Sequence, residues 1–242
     1  MPEPEQVPLL KTPNVAAVRK RDSYYYYAGK KYPAVTSILS VLAKGDGLVH
    51  WAAKTAAALV LSDPERYNTA EMAARGVFDN RDDAAERGKL VHSLAEALGT
   101  GAPVDVDALP PHVRGYGRAF VAWTAALRPE PLWVEANVYS TTHQFAGTLD
   151  MIARFPDGFV KLVDLKTTKQ VFREASLQMT AYAHADFILP RGTNQTPVPM
   201  PQVAETAVVL LQPDGTYQHK TVTAPFEVFL AVKACWEWAN AN

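Results

Sequence analysis

The chain has a single cysteine, Cys235. A lone thiol excludes an internal disulfide framework, a cysteine-rich zinc site and a cysteine-ligated iron–sulfur cluster. Its apolar neighbours predict a packed thiol rather than a reactive one. An excess of one charge is also missing. The 24 Lys and Arg stand against 25 Asp and Glu, leaving a net charge of -1. There is thus no global basic field, and any nucleic-acid contact must come from local clusters of Lys and Arg beside phosphates. No stretch approaches the roughly 20 apolar residues of a membrane span, and the start MPEPEQVPLLKTP has no apolar signal core. Those absences predict a cytoplasmic protein with no membrane partner. Internal repeats and low-complexity tracts are absent as well.

What is present suits a folded enzyme-sized unit: 242 residues, 48% of them hydrophobic. Residues 1–22 are proline-rich and aperiodic, so a flexible leader is expected there and a single domain over 23–242. The first part, about 34–128, reads as mainly helical. Tyr24 to Tyr27 and Tyr32 flank Ala-Gly-Lys-Lys, which suggests a short hairpin. Thr36 is placed to cap a short helix ending near Leu42, and an Ala-rich helix is expected from Gly47 to Leu61. Asp63 before Pro64 is a plausible N-cap with proline in the first helical position. Helices are expected over about Arg81–Leu98 and from Pro111 to before Pro129.

From about residue 129 the pattern changes to strands. Leu132, Val134, Ala136 and Val138 alternate with the period of a strand. Strands over about 145–155 and 159–167, a helix over about 172–189, a proline-rich loop, strands near 204–211 and 216–222 and a closing helix from Pro225 follow. This is an α/β chain: a mixed central β-sheet flanked by helices, plus a mainly helical N-terminal half.

Pro156-Asp157-Gly158 suits a three-residue hairpin loop, with glycine in the left-handed position. If Phe155 and Phe159 flank it as a pair, Asp150 faces Asp164 and Lys166 faces Thr148, all on one side. Ile152, Leu162 and Val160 then share that side, and Leu149, Met151, Val163 and Leu165 cover the other. Two carboxylates opposed in a part-buried setting raise one pKa or demand a cation. Mg²⁺ commonly uses one or two carboxylates plus waters and a substrate phosphate. The hairpin alone leaves two readings open: a divalent-metal site for a phosphodiester, or a buried Asp–Lys ion pair beside a second aspartate.

The wider pattern favours the first. Gly147-Thr-Leu-Asp150, Val163-Asp-Leu-Lys-Thr-Thr168, then Gln178 and Tyr182, with Gly88 and His92 in Arg87-Gly-Lys-Leu-Val-His-Ser-Leu-Ala-Glu96 upstream, resemble the PD-(D/E)XK nuclease superfamily. More narrowly they are similar to its RecB-like branch, which includes phage-type exonucleases; the iron–sulfur CRISPR-adaptation subfamily is excluded by the single cysteine. The resemblance spans about residues 87–185. It implies a restriction-endonuclease-like core over about 129–242 with the His92 helix packed on it, making 23–242 one nuclease domain. It also implies that Asp150, Asp164, the Leu165 carbonyl and His92 hold Mg²⁺ or Mn²⁺, as one or two ions. Lys166 would orient the attacking water, and Gln178 and Tyr182 would position the DNA or the lysine.

Glu96 shares a helix face with Gly88 and His92 and is a candidate to support a metal ligand, as is Glu135 on the preceding strand. Lys169 and Arg173 just past the lysine strand, and Arg81, Arg87 and Lys89 near the histidine helix, are candidate DNA contacts. So are Lys30, Lys31 and the basic residues before them, interleaved with Tyr24 to Tyr27 in a way that suits base stacking. No phosphate-binding glycine loop occurs, so no ATP motor is encoded; a helicase or single-strand annealing partner would be a separate chain in a bacterial or phage-infected cell. The implied reaction is cleavage of DNA from linear or single-stranded ends in recombination, repair or phage replication. The competing readings are a non-catalytic DNA- or partner-binding module on the same fold and another two-carboxylate hydrolase such as a glycosidase. The latter gives no reason for Lys166 or His92.

Overall fold

A computed structural model describes residues 23–42, 46–190 and 196–241; the leader expected over 1–22, with its basic residues, lies outside them. The chain runs through β1 (Tyr24–Tyr27), β2 (Lys30–Pro33), α1 (Val35–Ile38), α2 (Asp46–Ser62), α3 (Ala70–Thr100), α4 (Arg114–Leu127), β3 (Glu130–Ser140), β4 (Phe145–Arg154) and β5 (Val160–Lys166). It continues with α5 (Arg173–Ala183), β6 (Phe187–Leu189), β7 (Val198–Pro199), β8 (Glu205–Leu211), β9 (Tyr217–Thr221) and α6 (Phe226–Ala239). Seven strands form one sheet in the order β7-β6-β3-β4-β5-β8-β9. Its ladders are antiparallel except β5 with β8. A mixed sheet with helices on both faces is the restriction-endonuclease-like α/β architecture the sequence predicts.

The two faces bury different layers. On one, Leu162, Val208 and Leu210 pack with Ile38 of α1, Met179 of α5 and Phe229 of α6. On the other, Met151, Val163 and Val209 meet Leu94 of α3 and Phe120 and Trp123 of α4. The β1–β2 hairpin closes a third cluster, in which Tyr25 and Tyr32 pack with Tyr139 and Leu189. The tyrosine run seals one end of the sheet: only Tyr26 of the four is exposed, and Lys31 lies over the Tyr24 ring.

Several boundaries differ from the sequence reading. Thr36 lies inside α1, whose N-cap is Ala34 with no side-chain cap. Asp63 accepts from the Arg66 N–H at 3.1 Å and caps only an isolated turn. The long helix starts eleven residues before Arg81, where the Thr69 hydroxyl accepts from Met72. The helix expected to reach residue 189 stops at Ala183. There Asp186 turns its carboxylate to the Thr141 and Thr142 amides at 2.7 and 2.9 Å, and Phe187–Leu189 pairs with β3. Cys235 is exposed on the outer face of α6, because Phe229, Val232 and Trp236 take the inner one.

Candidate active site

The β4–β5 hairpin forms with the predicted register. Phe155 N–H donates to Phe159 O at 3.0 Å, and Gly158 adopts φ +84°. Arg154 pairs with Val160, Ile152 with Leu162 and Met151 with Val163. The ladder ends there. One step on, where Asp150 and Asp164 would pair, the strands part, and the Leu165 N–H donates to Asp150 Oδ2 at 2.7 Å. The expected pairing of Lys166 with Thr148 does not form. Thr148 instead donates to Asn137 Oδ1 at 2.9 Å and receives the Tyr25 hydroxyl at 2.9 Å.

Strict alternation also fails at this point. Leu149 packs on the α5–α6 side with Ala136 and Val138, whereas Met151 packs on the α3–α4 side with Val163. Leu149 is thus not on the Met151 face, as regular alternation requires. The neighbouring strand slips at the same place. Val134 pairs with Met151 and Ala136 with Leu149, so Glu135 sits opposite Asp150. Glu135 has φ +48°, a left-handed conformation that glutamate rarely adopts. Such strain persists where the surroundings over-determine it, and it gathers at functional sites.

Glu135 is buried, and its Oε1 meets His92 Nδ1 at 2.5 Å. His92 Nδ1 also lies 3.5 Å from Asp150 Oδ1. One ligand atom from each of His92, Glu135 and Asp150 falls within 4.8 Å of the others, a group able to hold a metal ion. The helical histidine comes from α3, and the two carboxylates from adjacent strands. Asp164 is buried beside them: its Oδ1 accepts from Lys166 Nζ at 2.8 Å, and its Oδ2 has no hydrogen-bond partner among the described residues. A buried carboxylate oxygen without a donor is costly, and a cation at this point satisfies it. The residues therefore fit a hard, oxygen-preferring divalent ion.

The electrostatics agree. Burial and the neighbouring Asp164 push the Asp150 carboxyl up to about 7, against the opposing pull of Lys166, His92 and the Leu165 amide. The hydrogen bond to Glu135 holds His92 above its ordinary value despite burial. Burial pulls the Lys166 ammonium down, but Asp164 and Asp150 more than offset it, so the lysine stays charged. Lys166 and His92 are each about a third exposed, which leaves the site open on one side.

Tyr182 approaches from α5 on the opposite layer. It is buried, and burial, with Tyr25, Asp150 and Asp164 nearby, raises its pKa far enough that it stays protonated. Gln178 Nε2 lies 3.4 Å from its hydroxyl, a long hydrogen bond. Gly147 permits the approach, since a Cβ there would stand 2.3 Å from Tyr182 Cε1.

The structure thus brings together His92, Asp150, Asp164 and Lys166, and adds Glu135 as a full member of the cluster. Glu96 is exposed, one helical turn past His92. Lys89, Lys169 and Arg173 are exposed; Arg87 is directed onto the Tyr116 ring at 5.1 Å, and Arg81 pairs with Asp82. The Tyr25–Thr148–Asn137 network escaped the sequence reading, because Tyr25 lies more than a hundred positions from the other two.

A family model described as the PD-(D/E)XK nuclease superfamily matches residues 47–186, more than half of the chain. A search of the curated proteins returned no match.

Proposed function

The chain belongs to the PD-(D/E)XK nuclease superfamily, and from that premise we propose that it hydrolyses DNA phosphodiester bonds with Mg²⁺ or Mn²⁺ held by Asp150, Asp164 and His92, with the Leu165 carbonyl as a further ligand. The observation that carries this reading is the meeting of His92, Glu135 and Asp150 beside an Asp164 oxygen left unpaired in a buried setting. A bound divalent ion supplies a low-pKa water and Lewis-acid stabilisation of the phosphoryl oxygen.

The protein's own groups do the rest. Lys166, charged and held by Asp164 at the open side, orients the attacking water and offsets charge developing on the phosphate. Tyr182, kept protonated, is a hydrogen-bond donor rather than an anion, and Gln178 beside it positions the strand. Glu135 fixes the His92 ring, as a carboxylate behind a metal-bound imidazole does. Glu96 supports the same helix face from outside. Lys169, Arg173, Arg87 and Lys89 contact the DNA backbone.

The finer reading is a single nuclease domain over 23–242 of the RecB-like, phage-exonuclease type. It acts in the cytoplasm of a bacterial or phage-infected cell on linear or single-stranded ends, with a separate helicase or annealing protein as partner. The test is digestion of end-labelled linear, covalently closed circular and single-stranded DNA by the wild type and Lys166→Ala, with and without Mg²⁺. Metal-dependent loss of the linear substrates, abolished by Lys166→Ala in a folded protein, is expected. DNA binding with no cleavage under any metal would leave a non-catalytic module.

A further inference from the structure

Helix α2 buries no described side chain fully and packs mainly along α3. One of its faces is nevertheless organised. Trp51, Lys54, Thr55 and Ala58 recur at helical spacing and line an open cavity of about 510 Å³, which Asn80 of α3 and Lys169 also line. Trp51 is 42% exposed, and Lys54, Asn80 and Lys169 are exposed. No acidic side chain lines the cavity, and neither lysine makes an ion pair among the described residues. An aromatic side chain and two lysines on one wall, with no acidic group among the lining residues, suit a ligand that has a flat apolar face and negative charge.

Lys169 ties this cavity to the candidate active site. It follows Lys166 by three residues, so their Cα atoms are at most about 11 Å apart. From this we infer that the α2 face is a docking groove for single-stranded DNA. An unpaired base stacks on Trp51, its flanking phosphates pair with Lys54 and Lys169, and the strand continues to the Asp164–Lys166 site. Stacking on Trp51 requires an unpaired base, because a duplex has its base faces already covered. The Thr55 hydroxyl and the Asn80 amide offer polar partners along the same wall without imposing a base identity. The inference rests on the nuclease reading above and adds the substrate form and its entry route.

The test is fluorescence-anisotropy titration of labelled oligothymidylate in a Lys166→Ala background. Trp51→Ala is expected to weaken binding about tenfold, the typical effect of one stacked base, while Trp51→Phe restores most of it. Lys54→Gln is expected to weaken binding and to lower the salt slope by about 0.7, the share of one single-strand phosphate. Trp51 is exposed, so its replacement leaves the core intact, and thermal melting verifies this. Oligonucleotide binding unchanged by both Trp51→Ala and Lys54→Gln overturns the groove and leaves the α2 face to a protein partner. Hydrolysis of bis(p-nitrophenyl) phosphate by the wild type with Mn²⁺, a diester too small to span the groove, reports the metal site separately. Its absence counts against the nuclease reading and not against the groove.

Discussion

His92 Nδ1 and Glu135 Oε1 lie 2.5 Å apart, linking the middle of α3 to a strand residue in a left-handed conformation. The pairing holds the imidazole orientation and raises its basicity. Replacing Glu135 by Gln keeps the shape but removes the charge that holds His92 above its ordinary pKa. Mn²⁺ affinity, measured by calorimetry at neutral pH, is expected to fall about 10- to 100-fold. The His92 titration followed by NMR should move to lower pH in the metal-free protein. An unmoved His92 pKa would show that the pairing carries no electrostatic weight.

Asp150 makes metal-free stability pH-dependent. Folding raises its pKa from 3.8 to about 7, so the folded state favours the protonated form. The resulting cost is absent below the unfolded value, grows between the two values and is complete above about pH 7. His92, also raised, acts in the same direction: its contribution is present below its ordinary value and lost as pH rises through the folded one. His219, whose pKa is lowered chiefly by burial, opposes both, so the Asp150 share must be isolated by substitution. In chelator, Asp150→Asn is expected to melt several degrees above the wild type near pH 8, with a smaller gain near pH 5. A variant less stable at both would contradict the burial cost.

Gly147 is the position where a single methyl group does most harm. An added Cβ would meet the Tyr182 ring at 2.3 Å, between a sheet strand and α5. Gly147→Ala is expected to cost about 1–3 kcal/mol by overpacking. Cleavage should fall with it, because the ring it displaces stands beside the two aspartates. Paired thermal melts and cleavage rates check this. A stable and fully active variant would mean that Tyr182 is free to retreat without consequence.

Lys169 and Arg173 frame the exit of β5 and the start of α5, both exposed. Changing both to Gln should weaken single-strand binding and flatten the dependence of log K on log salt by about 0.7 for each phosphate no longer neutralised. An unchanged slope in filter-binding titrations would remove them from the DNA path.

How far the sequence disclosed this arrangement depended on what kind of signal each part carries. Pro156-Asp157-Gly158 determines a loop length, and the loop length determines a register, so the ladder up to Met151 and Val163 was readable from local rules, whereas the parting of the strands at Asp150 and Asp164 was not. The left-handed turn of Glu135 was not. A glutamate in an alternating strand looks like any solvent-facing residue, and its conformation is imposed by the surrounding fold rather than by its own preferences. Phe187–Leu189 misled for a related reason. No helix breaker separates it from α5, and only the pull of Asp186 on the Thr141–Thr142 turn and the open edge of β3 make it a strand. The tyrosines of the first hairpin show how little composition decides, since basic and aromatic residues side by side serve equally to bind a strand and to seal a sheet.

The break in alternation at Glu135 and Asp150 has an architectural consequence. A regular strand serves one layer per residue parity and cannot give adjacent positions to a common purpose. By slipping phase once, these two strands let α3 deliver an imidazole from one flank and α5 a phenol from the other to a single spot at the parting of the sheet. The site is thus a seam between the two halves of the sandwich, where groups delivered from both layers meet.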